Sequence, residues 1–90
     1  MTSTNAQLFA AAGKALYGER WQQPLAALLG WPLDERGQNR TVQRIKAAAE
    51  RGEEYRISPN VMQELSGHLD GHAALLQAIS ASIRDAQTKP

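Results

Sequence analysis

Residues 21–51, WQQPLAALLGWPLDERGQNRTVQRIKAAAER, constrain the chain most, because they carry two helical apolar stripes separated by a segment that can continue neither. Trp21, Leu25, Leu28 and Leu29 recur at i, i+4, i+7 and i+8, one face of a helix that Gly30 is placed to end. Pro24 is tolerated only in a first turn, so this helix starts at about residues 21–23 and is short. Val42, Ile45 and Ala49 at i, i+3 and i+7 mark a second helix. Stepping 100° per residue from Val42 turns Arg40, Gln43, Arg44, Ala47 and Arg51 to the far side, which on this reading holds no acid and no large apolar group. Two short helices joined at a corner, the second with a bare polar and basic face, read as a DNA-reading unit.

Ninety residues make one domain, large enough for one modest core and too small for a cleft between domains. With no cysteine, disulfides, thiolate metal sites and Cys nucleophiles are excluded. No apolar run approaches the roughly 18 residues that mark a membrane span, and the start MTSTNAQ lacks the basic flank of a signal peptide. The expectation is a soluble, cytoplasmic protein with no membrane association.

In chain order, residues 1–4 read as disordered, and a helix is predicted over residues 5–17, with Leu8, Phe9, Ala12 and Leu16 as its buried stripe. Gly13 suggests close approach to another helix, and Gly18 is placed to end this one. Pro32, Gly37 and Asn39 punctuate residues 31–38, and Asn39 is the expected N-cap of the helix that Gly52 stops. Residues 53–57 read as extended, before Ser58 as cap and Pro59 at the first helical position. Val61, Met62, Leu65 and Leu69 mark a fourth helix. Gly67 and Gly71 are expected to interrupt it before a fifth over residues 71–86, whose stripe is Leu75, Leu76, Ile79 and Ile83. Residues 88–90, TKP, read as a frayed end. The fold class is therefore all-α: a compact helix-turn-helix domain of about five helices over residues 1–90, with its motif at residues 21–51.

The net charge of +1 announces no nucleic-acid binder, but its distribution is uneven. Residues 36–51 hold Arg36, Arg40, Arg44, Lys46 and Arg51 against Glu50 alone, whereas residues 21–35 sum to −2 and residues 60–90 to −1. A solvated helix face is the plain alternative for such a run. The chemistry fits a groove: Arg can bridge O6 and N7 of guanine, Gln can pair with N6 and N7 of adenine, and Thr can meet a phosphate or a thymine methyl. His68 and His72 stand at i, i+4 with only Asp70 between them, and without a third ligand they read as surface or cap histidines; no metal and no cofactor is expected. Trp21 and Trp31 read as core or rim aromatics rather than stacking platforms. No grouping of nucleophile, base and orienter is present, so no enzyme is expected.

The segments ALYGERWQQPLAALLG, NRTVQRIKAAAERG and SPNVMQEL resemble the small single-domain helix-turn-helix regulators of phages, mobile elements and bacteria, in the phage-repressor-like group. The resemblance covers about residues 8–66, with the RWQ to RTVQR part the specific portion. It implies a compact helical fold that sets the RTVQR helix in the major groove, Gln22 and Gln23 on backbone phosphates, and Arg40, Thr41, Gln43 and Arg44 toward DNA. The chain departs from the pattern in the ten residues that separate Gly30 from Thr41, an insertion with Arg36 and Gly37 at its expected tip, and in Ile45 where the family usually has Trp.

The function expected is a sequence-specific DNA-binding transcriptional regulator, read as a repressor, that recognises a short operator in double-stranded DNA. Gln22, Gln23, Arg36, Gln38, Asn39, Arg40, Thr41, Gln43, Arg44, Ala47 and Arg51 form its DNA face. Leu75, Leu76, Ile79 and Ile83 exceed what the end of so short a chain should leave unburied, so they are read as a homodimer interface; the alternative is that this helix folds back and completes the monomer core. The other functional reading is a protein-interaction module encoded by a phage or mobile element, which keeps the helix-turn-helix core and holds a host protein.

Overall fold

The computed structural model describes residues 3–88, which form four α-helices and a short 3-10 turn, with no strand among them. α1 is Asn5–Tyr17, the 3-10 turn Gly18–Arg20, α2 Gln22–Leu28, α3 Arg40–Arg51 and α4 Pro59–Thr88. Local chemistry accounts for most boundaries. Thr4 Oγ1 accepts a hydrogen bond from the Gln7 N–H at 3.1 Å while Gln7 Oε1 accepts from the Thr4 N–H at 3.0 Å, a capping box that starts α1. Thr4 is thus part of the fold, not of a disordered tail; of the frayed end expected at 88–90, residue 88 is the last of α4, while residues 89 and 90, like residues 1 and 2, lie outside the described residues. The carboxylate of Glu54 accepts from the Asn5 N–H at 2.8 Å, tying the start of α1 to the segment after α3. Asn39 Oδ1 accepts from the Val42 N–H at 3.0 Å as the cap of α3. Gly52, at φ 69° and ψ 19°, ends α3 in the left-handed region that a side chain resists. Residues 53–58 cross without regular structure to α4, where Ser58 Oγ accepts from the Asn60 N–H at 3.2 Å.

The core lies where α1, α2, α3 and the first turns of α4 meet. Phe9 is its centre, with Trp21 edge-on at 6.2 Å and Trp31 stacked at 5.8 Å. Trp21 is buried, and its indole lies over Gly13: a Cβ at that position would stand 2.3 Å from the ring. Glycine is what lets the largest side chain of the core reach the axis of α1, the close approach that the sequence suggests. Leu25, Val42, Ile45 and Leu65 complete the fully buried set.

Two expectations are corrected. Leu8 is 47% exposed rather than buried. The buried arc of α1 runs through Ala6, Phe9, Ala10, Ala12 and Gly13, and Leu8 falls beyond its edge at 100° per residue. The break at Gly67 and Gly71 is absent: α4 runs through both as one 30-residue helix, so the expected fourth and fifth helices are a single element. Neither glycine has a positive φ. A helical glycine costs only about 1 kcal/mol relative to alanine, which packing of the first half of α4 offsets. Thirty residues span about 45 Å, and the chain measures 53 × 37 × 23 Å. Its radius of gyration is 16.0 Å, against about 12 Å for a compact chain of this length. The second half of α4 projects from the core.

Candidate nucleic-acid interface

α3 buries Val42, Ile45 and Ala48, with Ala49 half-buried beside them. The buried arc is therefore centred on Ile45 rather than Val42. That turns the outward face toward Gln43 and Ala47 and brings Glu50 to its edge, so the face expected to lack acids has one. Glu50 is paired: Lys46 Nζ stands 2.7 Å from Glu50 Oε1. The hydrogen bond and charge of Lys46 hold the Glu50 carboxyl below its ordinary pKa, with Lys14 and Arg51 acting in the same direction. The charge of Lys46 is thereby largely satisfied within the protein. Arg40, Thr41, Gln43, Arg44 and Arg51 are exposed, and Ala47 is half-exposed. Among the described residues no acid is paired with Arg36, Arg40 or Arg44.

Residues 29–39, between α2 and α3, are an ordered loop. Asp34 organises it: its carboxylate accepts from the N–H groups of Arg36 at 2.8 Å and Gln38 at 2.9 Å. Its own N–H donates to the Gln38 carbonyl at 2.8 Å. Asn39 closes the loop, its Nδ2 donating to the Pro32 carbonyl at 2.7 Å while Oδ1 caps α3. With one Nδ2 hydrogen and one Oδ1 lone pair engaged within the protein, Asn39 ties the loop to the start of α3. Gly37, at φ 74°, lies against the amide of Gln23, which a Cβ there would meet at 3.1 Å. The turn residues at the tip are Glu35 and Arg36, one position before the expected Arg36 and Gly37.

This packing assembles a polar cleft of about 290 Å³ from four segments. Gln22, Gln23 and Pro24 come from α2, residues 36–39 from the loop, and Gln43 from α3, with Glu19 and Arg20 on the remaining wall. Of the expected DNA face it gathers Gln22, Gln23, Arg36, Gln38, Asn39 and Gln43. Arg40 and Thr41 line an adjoining depression with Pro32, Leu33 and Asp34, whereas Arg44, Ala47 and Arg51 lie along α3 away from both. Arg20 is the residue that sequence reasoning missed. It sits between the Gly18 stop and the Trp21 start, and only the 3-10 turn, which periodicity does not reveal, brings it to the cleft.

Leu75, Leu76, Ile79 and Ile83 lie together on the projecting half of α4, 49–56% exposed, and do not fold back onto the core. His68 Nε2 is 3.9 Å from Glu64 Oε1, and no cluster of three His, Cys, Asp or Glu among the described residues could hold a metal ion. No helix of the described residues is long and apolar enough to cross a membrane. No protein-family model, curated protein or solved structure matches the chain. The resemblance carried by RWQ and RTVQR stands on those residues alone.

Proposed function

We propose that the protein is a sequence-specific DNA-binding transcriptional regulator, a repressor that occupies a short operator with α3 in the major groove and α2 resting on the phosphate backbone as a helix-turn-helix. The observation that carries this reading is the surface where Gln43 of α3 lines, and Arg40 and Thr41 adjoin, the Gln22, Gln23, Arg20 and Arg36 cleft, with Arg44 exposed further along the same helix and neither Arg40 nor Arg44 paired with an acid among the described residues. Arg44 and Gln43 have the donor geometry for bidentate contacts to guanine and adenine, and Arg20, Arg36 and Gln23 suit phosphates. The hydrogen-bonded loop holds Arg36 at low entropic cost, which favours binding by a preorganised surface. One helix reads only a handful of base pairs, so a homodimer belongs to this reading.

Selection of duplexes from a random pool, followed by fluorescence anisotropy across a salt series, tests it. The expected result is a preferred sequence bound with a steep salt slope. Arg44→Ala and Gln43→Ala should each lose about 1–3 kcal/mol of specific affinity with an unchanged Tm. Binding no tighter than about 10⁻⁴ to 10⁻⁶ M to every duplex, the range of non-specific association, overturns it. The second reading, a module that holds a host protein, is favoured by Leu33, 37% exposed on the ordered loop. Its mark would be salt-insensitive retention of one protein with no duplex preference.

A further inference from the structure

Along α4, Met62, Leu69, Leu76 and Ile83 recur every seven residues, and Leu65, His72, Ile79 and Ala86 follow each of them by three. The two sets form one seam at heptad spacing over the whole helix. At the N-terminal end the seam packs on the protein's own core, with Leu65 buried and Val61, Met62 and Leu69 beside it. Beyond His72 the described residues leave it uncovered, Leu76 at 53% and Ile79 at 49% exposure. Residues 71–83 contain no Asp, Glu, Lys or Arg, and the seam there is flanked by Ala73 and Ser80 on one side and by Leu75 and Ser82 on the other. A helix face kept for water carries Lys and Glu; an uncharged heptad seam bordered by Ala, Ser and one further leucine, Leu75 at 56% exposure, is a face that a second helix covers.

The core and the uncovered seam lie on the same face of one helix, so the two together form a notch. This decides how a second copy can enter. A parallel, in-register partner would bring its own core to the level and the side where the first core already stands. An antiparallel partner places its core beyond the tip of the first helix, and each tip then ends in the other's notch. We infer that a second copy of this chain covers the seam in antiparallel orientation, with Leu76 opposite the partner's Ile79, His72 opposite the partner's Ile83 and Leu69 opposite the partner's Ala86. The shared seam spans 18 residues, about 27 Å. Antiparallel alignment also opposes the two helix dipoles favourably.

The register sets the two cores apart. Leu65 and the partner's Leu65 are offset by 25 residues along the pair, about 37 Å at 1.5 Å per residue, close to the 34–36 Å between successive major-groove faces of duplex DNA. That consequence rests on the regulator reading; the pairing itself does not and is measured without DNA.

The natural chain has no cysteine, so thiol crosslinking in the full-length protein reads the register directly. His72→Cys and Ile83→Cys are made separately, treated with a short thiol crosslinker alone, and then treated after mixing under reducing conditions. Antiparallel pairing gives a covalent dimer only in the mixture, because like positions lie 11 residues, about 16 Å, apart along the pair. Crosslinking of each variant with itself but not across the mixture would mean parallel pairing and overturns the inference. Sedimentation of the unmodified chain supplies the independent check: it should show a dimer that Ile79→Glu reduces to half the mass with unchanged helical circular dichroism. A monomer at high micromolar concentration overturns the pairing altogether.

Discussion

Leu65 and Leu76 lie on one face of one helix, about three turns apart, and meet opposite surroundings: Leu65 is 2% exposed and Leu76 53%. Their side chains are identical and the seam that joins them is unbroken. The difference lies in what stands opposite. Leu65 meets the core built around Phe9 and Ile45, whereas nothing in the described chain reaches Leu76. A buried leucine is worth about 1.5–3 kcal/mol of transfer free energy; at Leu76 much of that is withheld from folding and remains available for association. Periodicity identifies a face that will be covered without saying by what.

The contrast is broken or sharpened most strongly by truncation at the two sites. Leu65→Ala should lose about 2–5 kcal/mol of unfolding free energy at any protein concentration, as deletion in a packed core does. Leu76→Ala should leave unfolding at high dilution nearly unchanged and lower it only where the chain self-associates. Urea titrations followed by tryptophan fluorescence at two concentrations separate these outcomes, and equal losses at both sites would abolish the distinction. Next in size, Gly13→Ala should destabilise by about 1–3 kcal/mol, because its Cβ would stand 2.3 Å from the Trp21 ring. The near-ultraviolet dichroism of Trp21 should change with it.

A smaller effect of opposite sign tests the continuity of α4. Gly67 and Gly71 have open space where a Cβ would go, so Gly67→Ala and Gly71→Ala should each stabilise by up to about 1 kcal/mol through helix propensity. Loss of stability at either would mean that the helix turns there after all. The smallest effect belongs to Glu50, whose carboxyl Lys46 holds below its ordinary value. Its folded pKa is depressed, so its contribution is fully present above the ordinary carboxylate range and is lost as pH falls through the lowered value. Glu50→Gln should therefore lower Tm slightly at neutral pH, and the gap from the natural chain should close in acid; a gap that widens on acidification would contradict the sign.

Much of the fold was legible because its signals act over a few residues. Asn39 caps α3 and Gly52 ends it, Ser58 and Pro59 open α4, and α1 spans residues 5–17 as its stripe and Gly18 imply. The two tryptophans lie in and at the rim of the core as expected. Less was legible where two arcs compete. On α3 the choice between Val42 and Ile45 as the centre of the buried arc rests on where α1 presses, and on α1 the choice between Leu8 and Ala6 rests on where Trp21 needs room. Of the candidate interface, the α3 residues could be read from spacing. The gathering of Arg20, Gln22, Gln23 and Arg36 round one cleft could not, because it depends on a 3-10 turn and on Asp34 folding the loop back against α2.

The sequence alone determined that the described chain is helical and where three of its four helices begin and end, because caps, glycine stops and 3.6-residue periodicity operate through neighbours in the chain. Only the tertiary structure decided that Gly67 and Gly71 stay helical, that loop 29–39 is an ordered arm, and that the stripe of α4 is buried at one end and bare at the other. Those outcomes depend on which elements come together across the fold. Burial is a relation between two surfaces, and one strand of sequence describes only one of them.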